Sequence, residues 1–174
     1  VEDAGAAAIE LNISILPSDE KYTSADNEKR YLDIIKKVRS ETSLPIALKL
    51  SNYSSGLAKL IQSISWTNDI DGFVFFNSPD IDINNLSIVS SNIYSSPADM
   101  STSLRWIALL SGKIENDMVA STGIHDGAGV IKQILAGAKA TQIVSTIYKN
   151  DPEYINTMLK DIEAWMDEKG FNNI

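Results

Sequence analysis

The chain has 174 residues, 44% of them hydrophobic, which suits one domain with a real core. Its net charge of −8 argues against a nucleic-acid partner, because a phosphate backbone needs a basic face. It has no cysteine for disulfides or thiolate metal sites, and no apolar run near the roughly 20 residues that span a bilayer.

In chain order, short apolar runs alternate with helical patterns. The first run is Ala7-Ala8-Ile9-Glu10-Leu11-Asn12. Tyr31, Ile34, Ile35 and Val38 then repeat at i, i+3, i+4, i+7, which predicts a helix with Asp26 as its cap. Within it, Lys36-Lys37-Val38-Arg39 is the densest basic cluster and reads as a solvated face. Pro45-Ile46-Ala47-Leu48-Lys49 is the second run, followed by a helix from Gly56 to Ile64. Gly72-Phe73-Val74-Phe75-Phe76-Asn77 is the third. The stretch from Pro79 to Pro97 exceeds an ordinary strand-to-helix loop and holds β-prone pieces, Ile81-Asp82-Ile83 and Leu86-Ser87-Ile88-Val89. It reads as a hairpin excursion over the strand ends, either a lid or a plain surface loop. A helix with Leu104, Ile107, Ala108 and Leu110 leads to the run Met118-Val119-Ala120-Ser121-Thr122. Val130, Ile131, Ile134 and Leu135 mark the next helix, before Ala140-Thr141-Gln142-Ile143-Val144-Ser145. The last helix starts at Asp151-Pro152, cap then first-turn proline, and carries Ile155, Met158, Leu159, Ile162, Trp165 and Met166.

Near-continuous apolar runs suit parallel strands buried on both faces. A parallel α/β fold collects its ligand chemistry at the carboxyl ends of its strands. Asn12, Lys49, Asn77, Thr122 and Ser145 are therefore expected on one rim, around a polar, phosphorylated small molecule. An internal echo supports a repeated unit: Ala4-Gly5-Ala6-Ala7-Ala8-Ile9 resembles Ala136-Gly137-Ala138-Lys139-Ala140-Thr141, each just before a strand. Glycine after a helix permits the left-handed terminating residue. Five strands with five helices fit either an open doubly wound domain or five units of an eight-unit barrel with two raw edges. The abrupt start at Val1 reads as a piece of a longer protein.

These strand ends resemble those of the dihydroorotate dehydrogenase family, and more closely its dihydroorotate dehydrogenase-like branch in bacteria. Glu10-Leu11-Asn12-Ile13-Ser14 is similar to the family's Glu-Leu-Asn-x-Ser, and Ala47-Leu48-Lys49-Leu50-Ser51 to its Val-Lys-Leu-Ser strand. Phe75-Phe76-Asn77 with Pro79-Asp80-Ile81-Asp82 resembles the branch's Leu-Phe-Asn and Pro-Asp-Ile-Asp. Leu104-Arg105-Trp106-Ile107-Ala108 resembles a Leu-Arg-Trp-Ile-Ala helix, Thr122-Gly123-Ile124-His125 resembles Gly-Gly-Ile-His, and Ala136-Gly137-Ala138 closes the run. The resemblance implies an α/β fold of the (β/α)8 TIM-barrel type, with strands four to eight present and the first three units missing. Residues 1–174 would be the carboxyl-terminal part of an FMN-binding barrel domain, with the excursion at 79–97. It implies oxidation of dihydroorotate to orotate in pyrimidine biosynthesis, with hydride passed to FMN. Lys49 would stand beside the isoalloxazine ring. Asn12 and Asn77 would hydrogen-bond flavin or substrate. The backbone around Thr122-Gly123 and Val144-Ser145 would cradle the phosphate, at the usual phosphate site of such barrels.

Three departures bear on activity. The family's catalytic base, a cysteine or serine, falls at Ile15, which cannot accept a proton. Ser14 or Ser18 could replace it only if the loop shifts. Thr122 and Val144 stand where the family has glycine, and a side chain there can obstruct close backbone approach. The first three strands are missing. The branch is thought to keep the flavin site without the catalytic residues, and this sequence fits that description. The alternative reading is a non-catalytic module for FMN, another phosphorylated ligand or a partner, or a truncated remnant that pairs with a second copy through exposed strand edges. Each residue also has a structural reading. Lys49 could pair with Glu10, Asn12 and Asn77 could cap loops, and His125 could be exposed at a helix start. Trp106 and Trp165 sit at helical core spacing. No second histidine or carboxylate cluster supports a metal site. No signal-peptide pattern opens the sequence, so a soluble cytoplasmic protein with a small-molecule ligand, no nucleic acid and no membrane partner is expected.

Overall fold

The computed structural model of the protein describes residues 1–15, 19–52, 54–76, 81–82, 87–88 and 94–174. The chain gathers into two compact units, Val1–Asn77 with Gly112–Met118, and Ser78–Ser111 with Val119–Ile174.

The first unit is built on parallel strands β1 (Ile9–Asn12), β2 (Ile46–Leu50) and β3 (Gly72–Phe75), with helices α1 (Ser24–Glu41) and α2 (Leu57–Ser65) between them. Alternation along β2 sends Ile46, Leu48 and Leu50 into the core and leaves Ala47 and Lys49 half-buried on the opposite face. β3 is buried along its whole length, as its unbroken apolar run predicts. α2 buries Leu57, Leu60, Ile61 and Ile64, the i, i+3, i+4, i+7 stripe, and each such side chain stabilises the unit by about 1.5–3 kcal/mol. On α1 only Tyr31 and Ile35 are fully buried, while Ile34 is exposed. Its cap differs from the sequence expectation. Thr23 is the N-cap and its hydroxyl accepts the Asp26 N–H at 3.2 Å, while the Asp26 carboxylate accepts the Thr23 N–H at 2.8 Å. Asp26 is thus the returning arm of a capping box. Asp71 ties the amino ends of β2 and β3: its N–H donates to the Ile46 carbonyl and its carboxylate accepts the Ile46 N–H, both at 2.8 Å.

The second unit holds an antiparallel pair, β4 (Ile81–Asp82) with β5 (Ser87–Ile88), inside the stretch read as a hairpin excursion. A short 3-10 turn, Pro97–Asp99, then feeds α3 (Met100–Leu110). β6 (Asp117–Ser121) pairs in parallel with β7 (Ala140–Gln142), Val119 opposite Ala140 and Ser121 opposite Gln142. α4 (Gly127–Ala136) joins them, capped by Asp126, whose carboxylate accepts the Gly129 N–H at 2.7 Å. It packs on α6 (Tyr154–Lys169) so closely that a Cβ on Gly127 would lie 2.6 Å from the Asp161 Cβ. Gly5 and Gly137 end helical turns at φ +80° and +119°, as the alanine-glycine echo predicts.

Several sequence expectations change here. β7 has three residues rather than six, because Val144 leaves the strand to become the N-cap of a short helix, α5 (Ser145–Lys149), that the sequence did not reveal. Leu135, Ile155 and Leu159 are exposed, and Met158 alone is fully buried on α6. Asp151 still marks the approach to α6, accepting the Tyr154 N–H at 3.0 Å, but the helix proper begins beyond Pro152. Trp106 and Trp165 are half-buried, and Trp165 stacks on Phe171. No helix among the described residues is long and apolar enough to cross a membrane.

Candidate functional site

In the first unit the parallel register sets Asn12 beside Lys49 at the carboxyl ends of β1 and β2. Glu10 lies two residues before Asn12 and so shares its face of the sheet. The Lys49 ammonium stands 3.4 Å from a Glu10 carboxylate oxygen, which also accepts the Asn12 amide N–H at 3.4 Å. The Lys49 side chain is 17% exposed and the Glu10 side chain 29%. A half-buried ammonium without a partner is costly, and the Glu10 carboxylate is one partner it has here. The pairing read from sequence as the structural alternative is present, and it leaves a cation and an amide side by side on adjacent strands. Val74 of β3 is the register neighbour of Lys49 on its other side. Asn77 lies outside the described residues.

Ile15, which the resemblance puts at the position of the family's base, follows β1 in a loop held by Tyr31 of α1. The Tyr31 hydroxyl donates to the Ile13 carbonyl at 3.3 Å, and so receives the Ser51 hydroxyl at 3.3 Å and the Ile15 N–H at 3.5 Å. Ile15, Tyr31, Ser51, Ser54 and Leu60 line a small cleft of about 30 Å³. Ser14 is exposed, and Ser18 lies outside the described residues.

In the second unit the loops after β6 and β7 meet on a residue the sequence did not single out. The Ser95 hydroxyl accepts the Gly123 N–H at 3.2 Å and donates to the Ser145 hydroxyl at 3.1 Å. The Ser95 N–H donates to the same Ser145 oxygen at 2.8 Å, and the Ser95 carbonyl accepts the Lys149 ammonium at 2.8 Å. His125 is half-buried rather than exposed, with Nε2 3.4 Å from the Ser95 hydroxyl and Nδ1 3.2 Å from the Thr146 hydroxyl. Thr146 spends its own proton on the Ile124 carbonyl at 2.6 Å, so His125 donates from Nδ1. The Gly123 amide and the Ser145 hydroxyl thus meet the Ser95 side chain, and the Lys149 ammonium meets its carbonyl. That donor set also fits an oxyanion such as a phosphate.

Thr122 and Gly123 are both left-handed, at φ +78° and +79°. Thr122 therefore has a backbone shape that favours glycine, at the strain a β-branched residue carries there. Gly123 has a packing reason for lacking a side chain, since a Cβ would lie 2.2 Å from the Met100 nitrogen. Val144 has φ −129° and is 65% exposed, so no left-handed turn demands glycine there. Among the described residues no group of three or more histidines or carboxylates is arranged to hold a metal.

Comparison with known proteins places the chain. No protein-family model matches it. Over its whole length it is 27% identical to the catalytic subunit of a dihydroorotate dehydrogenase B (NAD(+)) from Thermoplasma volcanium, covering 59% of that protein. It is 27% identical to the corresponding subunits from Bacillus cereus and Pyrococcus furiosus over 96% of its length, covering 56% and 58% of them. A crystal structure of ligand-free dihydroorotate dehydrogenase from Eimeria tenella shares its fold at a TM-score of 0.62 and 17% identity, over 75% of this chain and 38% of that one. The α/β fold of TIM-barrel type read from the sequence is thus present, in part. The sequence kinship of this chain lies with the dihydroorotate dehydrogenases, and it spans about three-fifths of the length of the curated relatives it matches.

Proposed function

We propose that this chain is the FMN-holding portion of a dihydroorotate dehydrogenase-like oxidoreductase whose proton-abstracting step has been lost. The observation that carries the reading is Lys49, a half-buried cation fixed beside the Asn12 amide at the carboxyl ends of adjacent parallel strands. Asn12, Lys49 and Asn77 would face the ring system, while Thr122, Gly123, Val144 and Ser145 would border the phosphate. Lys49 would hold positive charge where a ring bearing negative charge is stabilised, and the Glu10 ion pair holds that lysine in place. The Asn12 amide offers both a donor and an acceptor. FMN supplies the hydride acceptor when bound. Oxidising dihydroorotate also requires removal of a proton from carbon, and Ile15 has no group to receive it. A place in pyrimidine biosynthesis, a soluble cytoplasmic setting and a small-molecule substrate follow from the same reading. Ile15 equally favours a second reading, in which the site binds FMN or another phosphorylated ligand without turnover.

The test is an absorbance spectrum after mixing with FMN and desalting, followed by a dihydroorotate oxidation assay. The wild-type protein is expected to retain the flavin bands and show no turnover. Ile15→Cys is expected to raise the rate by at least about 10²-fold, the low end of what a positioned base contributes. A colourless desalted protein overturns the FMN reading. Retained flavin with an inert Ile15→Cys protein leaves the binding module.

A further inference from the structure

We infer that Ser95 is a built-in occupant of the phosphate site, an autoinhibitory contact that an anionic ligand must displace. The inference rests on the phosphate-binding reading of the β6 and β7 loops given above. Its own basis is the geometry of one residue. Three different atoms of Ser95 engage donors and acceptors of the candidate cradle: N–H to Ser145 at 2.8 Å, Oγ to the Gly123 N–H at 3.2 Å, and the carbonyl to Lys149 at 2.8 Å. The Ser145 hydroxyl and His125 Nε2 flank the same Oγ at 3.1 and 3.4 Å. A phosphate seated on these loops needs the Gly123 amide, the Ser145 hydroxyl and the Lys149 ammonium, all of which Ser95 now engages. A hydroxyl and a carbonyl are poorer partners for this set than a dianion, because hydrogen bonds from these donors strengthen when the acceptor is charged. Ser95 is therefore a contact that a phosphate can replace and that neutral ligands leave in place. It reduces apparent affinity by the fraction of molecules in which the cradle is filled. The segment has a visible handle next door. Tyr94 packs on Tyr148 of α5 with ring centroids 5.7 Å apart, so lifting Ser95 away separates the two rings.

The test compares wild-type protein with Ser95→Ala, which loses the hydroxyl contacts and keeps the backbone ones. FMN is expected to bind the variant about tenfold more tightly, the shift that one net hydrogen bond is worth, with riboflavin binding unchanged. Equal or weaker FMN binding by Ser95→Ala overturns the inference and makes Ser95 an organiser of the loops instead, while the flavin reading survives. If neither protein binds FMN, the flavin reading fails and inorganic phosphate decides, followed through the Gly123 amide resonance. Tighter phosphate binding by Ser95→Ala then supports the occupant, and equal or absent binding overturns it. Should Ser95→Ala fail to fold, wild-type protein titrated with inorganic phosphate gives the answer. Shifted ring resonances of Tyr94 and Tyr148 support displacement, and stationary ones overturn it.

Discussion

The two units assemble polar groups by different means. In the first, the sheet does the placing. Parallel register sets Asn12 opposite Lys49, and strand alternation puts Glu10 on the same face. In the second, loop backbone does the placing. Two consecutive left-handed residues, Thr122 and Gly123, aim an amide at Ser95, and the short helix α5 brings Ser145 and Lys149 to the same residue. A register-built site tolerates change in its loops but not a slip of its strands. A loop-built site depends on single residues that accept uncommon backbone angles.

The sharpest way to break this comparison is a pair of glycines with nearly equal φ. Gly123→Ala in the second unit meets the Met100 nitrogen at 2.2 Å and is expected to destabilise by roughly 3 kcal/mol or more, read from urea unfolding. Gly112→Ala in the first, at φ +73° with nothing within 4 Å, is expected to cost only about 1–2 kcal/mol. Equal effects would show that the backbone angle alone matters, and that close packing at Gly123 adds nothing.

Tyr31→Phe probes the first unit at intermediate strength. It removes the hydroxyl that binds Ile13, Ile15 and Ser51, and is expected to cost about 1–3 kcal/mol because buried partners are left unpaired. An unchanged urea midpoint would mean that the loop carrying Ile15 is held by other contacts.

The smallest effect lies at the cap of α1. Thr23→Ala is expected to lower stability by about 1 kcal/mol, read from thermal unfolding. Hydrogen bonds from the Thr23 hydroxyl and N–H hold the Asp26 carboxyl below its ordinary value of 3.8. A depressed carboxyl adds stability above the unfolded value, and that contribution fades as pH falls through the folded value. Wild-type protein should lose this increment in acid below the ordinary value, and Asp26→Asn should show a flatter profile there.

Much of the architecture was legible in the chain. The α2 stripe, the buried β3 run and the left-handed Gly5 and Gly137 follow from periodicity and from the steric freedom of glycine, which are local properties. The β7 boundary was misread because Ile143 and Val144 extend the apolar run, although the backbone has already turned into α5. Thr23 was missed as a cap because Thr23 and Asp26 complete each other, and the capping box is visible only once both bonds are seen.

By itself, the sequence determined the alternation of strands with the main helices, the polar residues Asn12 and Lys49 at the ends of β1 and β2, and the kinship with the dihydroorotate dehydrogenases. These depend on patterns a few residues long, or on ordered motifs. The tertiary structure alone decided which partners those polar residues meet. Lys49 reaches Glu10 across neighbouring strands, and Ser95 joins Gly123 and Ser145 from 28 and 50 residues away. Such contacts are fixed by the packing of distant segments, and each must satisfy a polar group that folding has removed from water.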